Sequence, residues 1–154
     1  MARILVVDDA AFMRIELKGI LESVGHVVVS EASNGTMAFA EYEKHQPDLV
    51  TMDVTMPGIN GVEAVKNIIS KYPKANIIMV SAITQKNIIV TALASGAKNY
   101  ILKPYSPDKV IQAINQVLGT NYVYQGKTTT MNTAINDINR AMNSIKGNLN
   151  ELEK

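Results

Sequence analysis

The sequence predicts an α/β protein, a doubly wound five-stranded parallel sheet with a C-terminal helical extension. Three observations predict it. Short, almost wholly apolar runs alternate with amphipathic segments of helical period. Gly and Pro punctuate the junctions between them. The apolar runs end on Asp, Ser or Lys, the side where ligands bind in open α/β sheets.

The elements follow in order. Ile4 to Val7 is a short aliphatic run that stops at two aspartates. Met13, Leu17, Ile20, Leu21 and Val24 recur at helical spacing, and Gly25 closes that helix. Val27 to Val29 reads as a second strand. Thr36 to His45 reads as a second helix, which must stop before Pro47. Leu49 to Met52 is a buried third strand. Pro57 to Gly61 is a turn-rich loop, and Val62, Val65, Ile68 and Ile69 mark a third helix. Ile77 to Val80 is a fourth strand ending at Ser81, and Gln85 to Ala94 a fourth helix. Tyr100 to Leu102 is a fifth strand ending at Lys103-Pro104. Val110, Ile111, Ile114, Val117 and Leu118 mark a fifth helix. Strands this apolar belong to a sheet covered on both faces, and right-handed crossovers make it doubly wound.

Three regions are expected: a domain over 1–119, a linker over 120–130 and a helical extension over 131–154. In the extension Met131, Ile135, Ile138, Met142, Ile145, Leu149 and Leu152 alternate spacings of four and three, a heptad seam. Asparagines and Gly147 weaken that helix on its own. The stripe has three options: a dimer through the seam, docking on the domain's own surface, or a partner protein.

Composition narrows the function. Hydrophobic residues make up 47% and charged residues 19% of 154, the balance of a globular protein. A net charge of +1 gives no bulk attraction to nucleic acid or to an anionic membrane. With no cysteine there is no thiol chemistry or Cys-based zinc site, and His26 and His45 lack ligand spacing. No apolar run reaches the ~18 residues of a membrane span. The chain enters a strand at once with no leader-like segment, so a cytoplasmic protein is expected.

The strand ends carry the chemistry. Asp8 and Asp9 follow the first strand, Asp53 the third, Ser81 the fourth and Lys103 the fifth. Any one of them alone could cap a helix or sit in a turn. Together they converge on one edge of the sheet. Clustered carboxylates repel one another unless a cation joins them. Oxygen ligands without His or Cys suit Mg²⁺, with Mn²⁺ as the alternative. A lysine and a hydroxyl beside such a cluster are what a phosphoryl group needs.

Leu5-Val6-Val7-Asp8-Asp9, Pro47 through Asp53, Met56-Pro57 with Gly61, Ser81-Ala82, Gly96-Ala97 and Lys103-Pro104 resemble the response-regulator receiver family, in order and spacing. The resemblance runs from Met1 to about Leu118 and implies the strand order 2-1-3-4-5. It implies that Asp53 accepts a phosphoryl group from the phosphohistidine of a sensor histidine kinase. Asp8, Asp9, Asp53 and the backbone carbonyl of Thr55 would hold the metal. Lys103, placed by a cis peptide to Pro104, and Ser81 would contact the phosphoryl oxygens. Tyr100 would move inward with Ser81 and switch the surface of the fourth helix, fifth strand and fifth helix. Thr55 and Ile83 occupy the positions that tune phosphoryl lifetime. Neither carries an amide or carboxylate that could position the attacking water, so slow self-dephosphorylation helped by a separate phosphatase is expected. Within the family, the stretches Asp8 to Arg14, Val50 to Pro57 and Ser81 to Gln85 are most similar to chemotaxis regulators. The implied output is a phosphorylation-dependent target protein, a flagellar switch or similar.

The rivals are an Mg²⁺-dependent aspartyl phosphatase, a flavodoxin-type binder, and a phosphorelay sink or fragment of a larger regulator. A phosphatase of that kind wants a carboxylate two residues after its nucleophile, where Thr55 stands. A flavodoxin wants a phosphate-cradling loop after the first strand, where Asp8-Asp9 would repel phosphate. No turnover of an external substrate is expected.

Overall fold

The computed structural model describes residues 1–126, 138–143 and 145. Ten elements alternate along the chain: β1 (Arg3–Val7), α1 (Ala11–Ser23), β2 (Val27–Ala32), α2 (Gly35–His45), β3 (Leu49–Met52), α3 (Gly61–Lys71), β4 (Ile77–Ser81), α4 (Lys86–Ala94), β5 (Asn99–Leu102) and α5 (Pro107–Leu118). The strands pair in parallel in the order β2-β1-β3-β4-β5. β1 lies inside the sheet, between β2 and β3, and its residues Ile4 to Val7 are apolar on both sides. Leu5 and Val7 point into one core with Ala38, Val65 and Ile68. Ile4 and Val6 point into the other with Leu17, Leu21, Ile111 and Ile114. α1 and α5 therefore cover one face of the sheet, and α2 and α3 the other. Each fully buried aliphatic side chain contributes roughly 1.5–3 kcal/mol.

The helix starts are chemically fixed. The Asn34 side chain accepts from Met37 N–H, Asn60 from Glu63 N–H, and Ser106 from Lys109 N–H, with Pro107 opening α5. α2 ends at His45 because Gln46 turns left-handed, at φ 45°, before Pro47. β2 is longer than the Val27-to-Val29 run suggests. It follows β1 to Ala32, and Ser30 and Glu31 are tolerated because β2 is an edge strand with one side open.

Gly61 holds α3 against the site loop. Its N–H donates to the Val54 carbonyl at 2.8 Å. A Cβ here would overlap the Asp53 carbonyl oxygen and come within 2.8 Å of the carbonyl carbon. Only glycine lets the start of α3 lie directly on the Asp53–Val54 backbone.

The segment after α5 straps back over the domain instead of leaving it as a free linker. Asn115 donates to the Tyr122 carbonyl at 2.8 Å and accepts from Tyr122 N–H at 3.1 Å and from the Thr120 hydroxyl at 2.8 Å. Tyr122 and Tyr124 pack on the α1–α5 core. The Tyr122 ring meets His26 edge-on, with centroids 4.5 Å apart. His26 is only 2% exposed, and its Nδ1 accepts from Ala2 N–H at 3.0 Å. Of the heptad seam over 131–152, Met131, Ile135, Leu149 and Leu152 lie outside the described residues. Residues 138–143 are helical, and Ile138, Met142 and Ile145 are exposed.

Two predictions follow from this packing. Burial, aided by the charge of the amino terminus, pushes the His26 imidazole below its ordinary 6.5. Below that pH the unfolded chain takes up a proton that the folded chain refuses, so stability falls with pH until the folded imidazole also titrates. The urea midpoint drops between pH 7 and 5.5, and His26→Gln removes that part of the slope; an unchanged slope in the variant refutes it. Gly61→Ala lowers stability by roughly 1–3 kcal/mol through overpacking. A urea midpoint equal to wild type would show that the α3–Asp53 approach has slack.

Candidate functional site

The site is built by the sheet's own ladder, which continues one residue past three strands. Asp8 N–H donates to the Ala32 carbonyl at 3.0 Å, Asp53 N–H to Val7 at 3.0 Å, and Lys103 N–H to Ser81 at 2.9 Å. Each of these residues leaves its strand with backbone direction already set. Asp8 and Asp53 are buried, at 6% and 7% exposure, and Ser81 is buried as well. Asp9 and Thr55 are exposed at the mouth.

The structure brings Asp8, Asp9, Asp53 and Lys103 together. One carboxylate oxygen from each aspartate lies within 4.8 Å of the other two. The Lys103 ammonium donates to Asp8 Oδ2 at 2.7 Å and to Asp53 Oδ2 at 3.4 Å. The other oxygens are oriented by backbone: Asp8 Oδ1 accepts from Ala10 N–H at 2.9 Å, and Asp53 Oδ1 from Val54 N–H at 2.7 Å. The Lys103–Pro104 peptide is cis.

Electrostatics follow from this packing. Burial pushes the Asp53 carboxyl above its ordinary value; Lys103 opposes the shift and Asp8 adds to it. Burial works against the Lys103 ammonium, yet its bonds to Asp8 and its attraction to Asp53 outweigh burial and hold its pKa above the usual lysine range. One lysine does not neutralise three carboxylates. The remaining negative charge, and a donor set of carboxylate oxygens free of His and Cys, fit a hard divalent cation.

Ser81 and Tyr100 are linked through Ile83 instead of directly. The Ser81 hydroxyl accepts from Ile83 N–H at 3.2 Å, and the Tyr100 hydroxyl donates to the Ile83 carbonyl at 2.8 Å. Tyr100 is half-buried against the α2–α3 core. Its ring thus already lies inward, with its hydroxyl held by backbone.

Two residues of the site carry no signal in the strand-end pattern. Arg14 Nη1 donates to the Asp8 carbonyl at 2.7 Å, a contact from a helix side chain to backbone that spacing does not reveal. Tyr105 sits beside Lys103 with Met13, Glu16, Ala82 and Pro104 around a cleft of about 310 Å³. Burial, with the carboxylates of Glu16 and Asp8, pushes its phenol far up, so it remains a neutral hydrogen-bonding group.

Comparison with known proteins agrees with this geometry. Residues 4–115 match the family described as response regulator receiver domain. The chain is 47% identical over 115 residues to the chemotaxis protein CheY of Thermotoga maritima, covering 75% of this chain and 96% of that one. It is 50% identical over 116 residues to CheY of Bacillus subtilis, covering 75% and 97%. Among solved structures it superimposes on a chain of the CheX–CheY–BeF3–Mg²⁺ complex of Borrelia burgdorferi. That match has a TM-score of 0.74 and 34% identity, over 75% of this chain and 88% of that one. Strand order, strand-end residues and similarity over most of the chain coincide, and the protein belongs to the receiver domain family of two-component response regulators.

Proposed function

We propose that this chain is a CheY-like switch in which Mg²⁺-dependent transfer of a phosphoryl group from a sensor histidine kinase to Asp53 changes a partner-binding surface. The observation that carries it is the Lys103 ammonium set 2.7 Å from Asp8 and 3.4 Å from Asp53, with a carboxylate oxygen of the exposed Asp9 within 4.8 Å of those of Asp8 and Asp53.

Asp53 is the nucleophile. An Asp53 carboxylate oxygen attacks the phosphorus of a phosphohistidine, a P–O bond forms, the P–N bond breaks, and the imidazole leaves neutral, taking the P–N electron pair and keeping the proton already on its other ring nitrogen. Asp8, Asp9, Asp53 and the Thr55 carbonyl would hold the cation. When bound, the cation neutralises charge on the phosphoryl oxygens. Lys103 supplies the second positive charge, fixed in place before reaction and therefore costing little reorganisation. The Ser81 hydroxyl turns from Ile83 N–H towards the phosphoryl group. That frees the Ile83 N–H, and because the carbonyl of the same residue holds Tyr100, a shift of Ile83 carries the change at Asp53 to β5 and the surface of α4, β5 and α5.

That surface is the one we assign to a target protein in chemotaxis, a flagellar switch or similar. It carries Val90, Leu93 and Leu102 exposed. Beside the pocket, α1 exposes Phe12 at 73% and Ile15 at 65%, apolar ground on which a phosphodonor can seat. The location is cytoplasmic, and no helix among the described residues is long and apolar enough to cross a membrane. Thr55, two residues after Asp53, is an exposed hydroxyl and not a carboxylate. Turnover of external substrates on the aspartyl phosphatase pattern therefore lacks its acid–base group.

Two measurements test the reading. Intact-mass spectrometry after incubation with acetyl phosphate and Mg²⁺ shows one added phosphoryl group, absent without the metal and absent in Asp53→Asn. A folded wild type that showed neither the adduct nor beryllofluoride binding would overturn the assignment. Because neither Thr55 nor Ile83 carries an amide or carboxylate to position the attacking water, the adduct decays slowly and calls for a separate phosphatase. Purified phosphoprotein that loses its phosphoryl group within seconds would contradict this.

A further inference from the structure

Asp9 is the exposed member of the acidic triad, and no hydrogen bond among the described residues holds its carboxylate. Its direction depends on the peptide that joins it to Asp8. That peptide is held from one side. Arg14, in the first turn of α1 with 20% of its side chain exposed, donates from Nη1 to the Asp8 carbonyl at 2.7 Å. From Nε it donates to the Glu31 carboxylate at 3.1 Å, on the edge strand β2. The Arg14 N–H closes the same turn by donating to the Ala10 carbonyl at 3.2 Å. A planar guanidinium can serve both acceptors at once with fixed geometry, where a lysine offers one point charge.

We propose that Arg14 is a positioning residue for the divalent cation, locking the Asp8–Asp9 peptide so that the Asp9 carboxylate faces Asp8 and Asp53, with Glu31 neutralising the guanidinium. The proposal rests on the metal-dependent reading of the site. Rotation of that peptide would swing Asp9 away while leaving Asp8 held by Ala10 N–H and Lys103. Without Glu31 the guanidinium would stand uncompensated beside a dication and repel it, an effect that salt screens. Arg14 and Glu31 thus act as a pair, one giving geometry and the other cancelling the field.

Charge and geometry predict opposite signs, so one titration separates them. The full chain is titrated with Mg²⁺ by ¹⁵N NMR, following the Ala10 and Val54 amides, at low and at high salt. Arg14→Ala weakens Mg²⁺ binding about tenfold, in the range found for groups that orient metal ligands, and does so at both salt concentrations. Arg14→Lys recovers part of the loss and serves as the folded variant if alanine destabilises the domain. Glu31→Gln weakens binding at low salt, and high salt restores it. Arg14→Ala and Arg14→Lys that bind Mg²⁺ as well as wild type, or more tightly, overturn the proposal and leave the metal site intact. A wild type that shows no Mg²⁺ shift at all overturns the proposal together with the functional reading beneath it.

Discussion

Everything chemical in this molecule depends on the parallel ladder running one residue beyond the apolar strands. Asp8, Asp53 and Lys103 donate their backbone N–H groups to the carbonyls of Ala32, Val7 and Ser81. They are polar side chains mounted on the most rigid part of the fold. The register of β1 with β3 and of β4 with β5 therefore sets the distances between carboxylates and ammonium. A slip of one residue would send every side chain of the slipped strand to the other face. The two apolar cores, which take alternate residues of β1, are what forbid that slip.

The acidic pocket is unfavourable by itself, and the fold tolerates it because Lys103 is within reach of two of its members. Burial and Asp8 raise the pKa of Asp53, and burial works against Lys103, so each needs the other. Such a cluster is a poor source of stability. Its persistence in a domain with two well-packed cores fits a chemical role for those groups, the pattern expected when local rules are broken at a functional site.

Much of this was legible in the sequence, for a physical reason. Strands buried on both faces must be almost wholly apolar, so Asp53 after Leu49–Met52 and Ser81 after Ile77–Val80 stand out as terminators. Caps at Asn34, Asn60 and Ser106 are local, short-range chemistry of the same kind. What the pattern hid was every interaction between residues distant in the chain that leaves no period. β2 ran past its apolar run because an edge strand needs no second apolar face. Arg14 reaches a carbonyl, which any residue type would supply. The polar stretch after Gly119 looked like a linker because its contacts come from two tyrosines and one asparagine, residues that loops also favour.

That strap has a mechanical consequence. The end of α5, Ala2 and His26 lie at the N-terminal edge of the strands, and Asp53 lies at the C-terminal edge. The strap is thus held, through Tyr122, at the pole opposite the strand-end carboxylates. Tension on it is borne first by three hydrogen bonds between Asn115 and the Thr120–Tyr122 segment. Asn115 belongs to the last turn of α5, so a pull on Tyr122 is passed directly into that turn, and the strap ties the end of the helix to the N-terminal edge of the sheet as a seam ties a cuff.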